Sequence, residues 1–395
     1  MTAEKILDFR DAAVVDAHCH GFSQKHVLEA DPSGWLDRLT LMGMCLGSSN
    51  SADKELIHLV PEMTRSTLLT IAAQRWLAAF FKCTPEAVPA HRQAALQADP
   101  AGYIKRLLSD QNVVGLFVDE GYPQPRVAPE DFEALTGTPV HRVVRIEPLI
   151  LSAIQDTDNL ADFEERYVEL LKQAAIDPKT IAFKTIIAYR TGLDVEQPDP
   201  AQVQKSFLEW KGSGWKEDRA VSKPVRDHLL HVALGVANDV KIPFHIHTGG
   251  GDPDVLLHYA RPSLLKPLLN RYISQPIVLI HCGYPWMEEA AFLASIFPRA
   301  YVELSVMTPW STLYIDRALE LFLGSVPANK LFHGSDEASE PELIWLGARQ
   351  TKAALRRVLG RAVDLDMLSI EDADRIGKGV LSQNALTLHG LLHKE

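Results

Sequence analysis

Short apolar runs rich in β-branched residues alternate with longer stretches whose apolar positions recur every three or four residues. The first run is Ala13-Val14-Val15-Asp16-Ala17-His18. A stretch with helical periodicity follows from about residue 32 to 110, where Leu68, Ile71, Ala72, Leu77 and Phe80 keep the helical spacing. Residues 113–118 and 142–149 read as buried strands. A helical segment at 160–175 leads into a strand at 181–187. After a polar excursion over 192–222, a helix at 225–240 precedes a strand at 242–247. Strict alternation then sets in: strand 276–281, helix 286–297, strand 300–305, helix 313–323, strand 330–334, helix 341–359, and a last helix at 373–392. Strand alternating with helix means a parallel sheet, and eight such units close naturally into a (β/α)8 TIM barrel; an open doubly wound sheet is the alternative. The expected organisation is one α/β domain over residues 1–395, with a helical insertion at about 31–110 after the first strand.

Composition narrows the class of partner. Forty Lys and Arg against 51 Asp and Glu leave a net charge of -11, which argues against non-specific nucleic-acid or anionic-membrane binding. Cys19, Cys45, Cys83 and Cys282 form no C-x-x-C pair, so neither a disulfide framework nor a zinc ribbon is expected. The first residues place acidic side chains where a signal peptide would be apolar, and no uncharged run approaches the ~18 residues of a membrane span. The expectation is a cytoplasmic protein acting on a small molecule.

The histidines carry the chemical signal. His18 and His20 lie two apart at the end of the first strand, a spacing that turns both imidazoles to one face. Ligand-type residues recur where other strands end: His245 and His247 on the fifth, His281 on the sixth, Asp336 on the eighth. The C-terminal ends of barrel strands converge on one mouth, so these side chains form an N/O set suited to zinc, and also to iron or manganese. His245 sits one layer deeper; its ordinary reading is a hydrogen-bonded interior histidine, its sharper one an added ligand or substrate contact. Asp119, Glu120 and Glu147 lie near the ends of strands two and three and read as loop carboxylates or helix caps that could reach the mouth. Trp35, Trp76, Phe80 and Phe81 could form a lid, although helical spacing favours core.

This pattern resembles the amidohydrolase superfamily, most closely its amidohydrolase-2 branch. Phe183 to Leu193 (F-K-x-I-x-A-Y-R-x-G-L), His247 to Asp254 (H-T-G-x-G-D-P-D) and Tyr284-Pro285 are similar to the amidohydrolase-like domains fused to glutamine synthetase in plants and fungi. The resemblance implies His18, His20, His247 and Asp336 around a metal. It makes His281 a ligand of a second ion or a catalytic acid/base. It places Lys184 where binuclear members have a carboxylated lysine bridging two ions; an uncarboxylated Lys184 would instead anchor an anion, with Arg190. Tyr189 and His245 join Arg190 as candidate substrate-binding groups. The activity implied is hydrolysis of a C–N bond by a metal-activated water, with Asp336 accepting the proton and Asp336 or His281 returning it to the leaving amine. The alternative is a non-oxidative decarboxylase of an aromatic or unsaturated acid, and a third reading is a binding protein that retains the site. A homodimer is the superfamily's common habit.

Overall fold

The computed structural model describes residues 7–48 and 57–392. Eight parallel strands run β1 Val14–Cys19, β2 Val113–Asp119, β3 Val140–Arg145, β4 Thr180–Thr185, β5 Phe244–His247, β6 Ile277–Ile280, β7 Ala300–Glu303 and β8 Leu331–Phe332. They pair in sequence order. The seam between β8 and β1 is drawn together by three backbone bonds: Ala17 N–H donates to His333 O (2.9 Å), while Ser335 N–H (3.2 Å) and Asp336 N–H (2.8 Å) donate to His18 O. The expected barrel is therefore the observed one, with helices between its strands.

Most differences from expectation lie at element ends. The third strand stops at Arg145, and Ile146–Asp156 is helical, so Glu147 lies in a first helical turn. Pro148 explains this, because proline fits a first turn and removes a ladder donor from a buried strand. The polar excursion contains the helix Pro200–Gly212, started by a capping box between Asp199 and Gln202. Pro224 lies inside the helix Arg219–Val240, which begins six residues before the expected start at 225. The C-terminal segment is the helix Ile370–Lys378, a π-helical turn and the helix Asn384–Leu388.

Between β1 and β2 the described helices include Leu41–Ser48, Leu68–Phe81, Val88–Ala98 and Pro100–Asp110. They are tied to the segment after β8 by a buried charge cluster. Arg92 reaches Glu340 (2.5 Å) and Glu342 (2.5 Å), Arg38 also pairs with Glu340, and the Tyr103 hydroxyl donates to Glu342 (2.6 Å). Phe80 and Phe81 pack on Tyr103, and Phe80 also on Trp345; Trp35 is buried beneath the Arg92 guanidinium. These aromatics pack in or against the core, the reading that their helical spacing favoured over a lid. Val15, Ala17, Phe117, Val143, Ile181, Val278, Ile280 and Phe332 make a second apolar cluster, joined by Ala385 from the C-terminal segment.

Candidate active site

Strand-end geometry brings the expected side chains together. His18 Nε2 lies 3.1 Å and His20 Nε2 3.4 Å from Asp336 Oδ1, and His281 Nδ1 lies 3.9 Å from Asp336 Oδ2. The His247 and His281 rings are 4.4 Å apart, centre to centre. Two overlapping trios, His18–His281–Asp336 and His18–His20–Asp119, each present ligand atoms within 4.8 Å of one another. The His20 Nδ1 proton goes to the Asp119 carbonyl (3.2 Å), which leaves its Nε2 lone pair on the Asp336 side. His247 Nε2 and His18 Nδ1 are buried without a hydrogen-bond partner among the described residues. A set of crowded imidazoles with unsatisfied nitrogens around one carboxylate fits a divalent cation.

The protonation states suit the same role. Burial lowers the His18 imidazole to about 4, with the Lys184 charge adding to the effect, and burial carries His247 and His281 well below their usual value. Burial opposes ionisation of Asp336, but the surrounding imidazoles, His281 first and then His18 and His20, outweigh it, so the carboxyl lies well below its usual range. Neutral imidazoles and an ionised carboxylate are the forms a metal requires.

Lys184 is buried at the end of β4. Its Nζ lies 3.1 Å from Asp119 Oδ2 and 3.0 Å from His18 Nε2. Asp119 in turn accepts from Arg145 Nη2 (2.6 Å) and Nε (3.0 Å). Burial weakens the ammonium of Lys184, with Asp119 opposing; burial likewise resists ionisation of Asp119, but Arg145, Lys184 and His20 hold it well below its usual range. Asp119 is thus a central counter-ion, whereas the sequence suggested a loop carboxylate. Glu120 faces elsewhere, paired with Arg142 (2.7 Å) and Arg126 (2.9 Å). Glu147 accepts from Thr185 Oγ1 (2.6 Å) and Ile186 N–H (2.8 Å), fixing the chain just after Lys184.

A cavity of about 220 Å³ opens over this cluster, lined by His20, Lys184, His247, His281 and Asp336. Arg145, Arg190 and Tyr189 also line it, with Leu41 and Met44 of the insertion. Tyr189 packs edge-on against His247 (4.7 Å), and its hydroxyl accepts from Asp252 N–H (3.0 Å). Gly251 is required beneath it, since a Cβ there would lie 1.8 Å from the Tyr189 hydroxyl. His245 does not line the cavity. Its Nε2 meets His389 Nε2 (3.0 Å) on the C-terminal segment, which corrects its candidacy for substrate contact. One layer of strand depth separates it from His247, and at that depth it is buried.

Arg145, Leu41 and Met44 were missed in the sequence, as were Glu303 and Ser305, which support His281. Arg145 was hidden by extending the third strand to 149; the register pairing Arg145 with Lys184 was its only signal. Cys19 and Cys282 are buried in the main core.

A parallel eight-stranded barrel with histidines at the ends of β1, β5 and β6 and an aspartate after β8 is the arrangement that the resemblance to the amidohydrolases implied. Residues 205–391 match the amidohydrolase family model. The chain is 28% identical over 334 residues to the protein fluG of Emericella nidulans, an alignment covering 78% of this chain and 38% of that relative. The chain thus spans well under half of that relative's length. A protein from Lactobacillus casei, assigned provisionally as a metal-dependent hydrolase, superposes with a TM-score of 0.82 at 24% identity, covering 98% of this chain and 97% of its own. A uronate isomerase from Bacillus halodurans superposes at 0.68 with 14% identity, covering 98% and 95%. At those identities the two structures share the fold. Over residues 205–391, a little under half of its length, the chain is thus similar to the amidohydrolase family. Among the described residues no helix is long and apolar enough to cross a membrane.

Proposed function

We propose that the chain hydrolyses an amide-type C–N bond of a small, carboxylate-bearing substrate. The observation that carries this reading is one cavity in which the His–Asp cluster stands beside the cationic groups of Arg145, Lys184 and Arg190. His18, His20, His247 and Asp336 would hold the ion; zinc suits the donors best, and manganese or iron also fit. When bound, such a cation supplies a water of lowered pKa and a Lewis acid for a carbonyl oxygen. Asp336 is placed to accept a proton, and the neutral His281 to carry one to the leaving amine. Arg190, Tyr189 and the Arg145–Lys184 pair would orient the carboxylate, a role that locally positive side chains serve in a chain of net charge -11.

We read one cation in place of two. Lys184 Nζ lies 3.1 Å from Asp119 Oδ2, where a carboxylated lysine would set two anions side by side unless a second cation separated them. Metal analysis should give one ion per chain, unchanged in Lys184→Ala; two ions falling to one in that variant would restore the bridging role. A Lys184 ammonium favours the second reading, a decarboxylase in which it binds the carboxylate that is lost. Purified protein loaded with zinc, manganese or iron should release amine from a panel of N-acyl amino acids and amides, and lose that activity in Asp336→Asn. Release of CO2 from aromatic acids without amine release would transfer the assignment to the decarboxylase.

A further inference from the structure

His281 is the mouth histidine whose orientation is most fully determined by the protein, and the groups that determine it come from the adjoining strand. Glu303 ends β7 and is fully buried. Its Oε1 accepts Ser305 N–H (2.5 Å), and its Oε2 accepts both His281 N–H (3.2 Å) and the Ser305 hydroxyl (2.6 Å). The Ser305 oxygen lies 2.8 Å from His281 Nδ1. Room for this carboxylate exists because residue 334 is glycine: a Cβ there would lie 2.1 Å from Glu303 Oε1. Hydrogen bonds thus link His281 at the end of β6 to Ser305 and Glu303 at the end of β7, and neither Ser305 nor Glu303 lines the cavity.

We propose that Ser305, anchored by Glu303, is a positioning residue that holds the His281 imidazole with Nδ1 turned into the protein and Nε2 left as its working nitrogen. With Nδ1 engaged, the ring cannot flip its nitrogens without breaking a buried hydrogen bond, so one tautomer persists. Nε2 has no hydrogen-bond partner among the described residues, and the ring lines the cavity, so the free nitrogen is the one available to substrate. The kinetic consequence rests on the hydrolase reading above. The orientation itself does not.

Two measurements therefore test it separately. NMR of 15N-histidine-labelled, metal-free protein, with the signal assigned by His281→Asn, should show His281 as a single tautomer that becomes an average of two in Ser305→Ala. A ring already averaged in the native protein, or unmoved by Ser305→Ala, overturns the proposal whatever the reaction. In amine-release assays, Ser305→Ala should lower kcat by about 10- to 100-fold with KM within about twofold, the scale of a misoriented catalytic group. Ser305→Thr, which keeps the hydroxyl, should recover most of the loss. Glu303→Gln should act in the same direction as Ser305→Ala, because one amide oxygen cannot serve three donors. A kcat in Ser305→Ala within twofold of native, or no recovery with threonine, would also overturn it. Native protein that releases no amine counts against the hydrolase reading only, and the NMR result still decides the positioning role.

Discussion

Asp119→Asn is the most informative perturbation of the site, because one buried carboxylate answers two buried cations. At 3.1 Å, Lys184 and Asp119 attract by about 5 kcal/mol at an effective dielectric constant of ~20, and the Arg145 fork adds a comparable amount. Desolvation of the three groups offsets most of this attraction. What remains on breaking a buried pair is about 3–5 kcal/mol, mainly the penalty of the charges left behind. At about 2.1 cal/mol/K per residue, unfolding 395 residues carries an entropy near 0.8 kcal/mol/K, so the midpoint should fall by about 4–6 °C. A second effect concerns the metal. Unbalanced, the Lys184 ammonium stays 3.0 Å from His18 Nε2 and repels a cation, so zinc affinity should drop about tenfold or more. Thermal melts of metal-free protein and calorimetric zinc titration read the two effects independently, and Asp119→Asn with Lys184→Met should recover part of both. An Asp119→Asn protein that melts within 1 °C of native and binds zinc equally well would refute the electrostatic account.

Three further outcomes follow from the same structure. Arg92→Met should cost about 3–5 kcal/mol, since it leaves Glu340 with Arg38 alone and Glu342 with only the Tyr103 hydroxyl; adding Glu340→Gln and Glu342→Gln should return most of it in urea melts. His389, lowered by burial to about 4, is neutral in the fold while the unfolded chain takes up a proton below about 6.5. Its contribution is therefore whole above pH 6.5 and lost as pH falls toward 4, by about 3 kcal/mol. His389→Asn should show a correspondingly shallower acid slope, and identical slopes would remove His389 as the cause. Chelation should lower the melting midpoint by about 3 °C if zinc is bound at a hundred times its dissociation constant, and restoring zinc should reverse it; a midpoint indifferent to both would count against a resident cation.

The barrel was legible because its signals are redundant. Eight β-branched runs, each followed by a helical period, leave few topologies, and errors of a few residues at the ends, up to six here, do not alter them. His18, His20, His247, His281 and Asp336 were legible because convergence of strand ends turns distant positions into neighbours without any need to model loops. Asp119 was undervalued for a different reason. An aspartate after an apolar strand is usually a cap, and only the simultaneous approach of Arg145 and Lys184, from two further strands, changes its meaning. Leu41 and Met44 were invisible because nothing in a helical period says which turn will face a cavity formed elsewhere. His245 shows the converse limit: its spacing from His247 identified the face correctly, while its depth placed it against a C-terminal histidine that no local pattern connects to it.

Backbone conformation adds a last reason to locate the chemistry at these strand ends. His281 (φ 69°), Cys282 (φ 47°), Val306 (φ 68°) and Asp336 (φ 54°) all occupy the left-handed region without being glycine. Such residues cost roughly 1 kcal/mol or more each, and for β-branched Val306 the strain is greatest. Glycine at 281 or 336 would relieve the strain and delete the imidazole or the carboxylate. Asp336 is kept in place by its N–H bond to His18 O, and His281 by its N–H bond to Glu303, so the groups that orient the site also hold its strain. Three of the four lie at or within three residues of the ends of β6 and β7, where Ser305 and Glu303 meet His281. A fold selected for stability alone would use glycine at these turns. Bulkier residues at these positions are what a rigid, pre-oriented donor set requires.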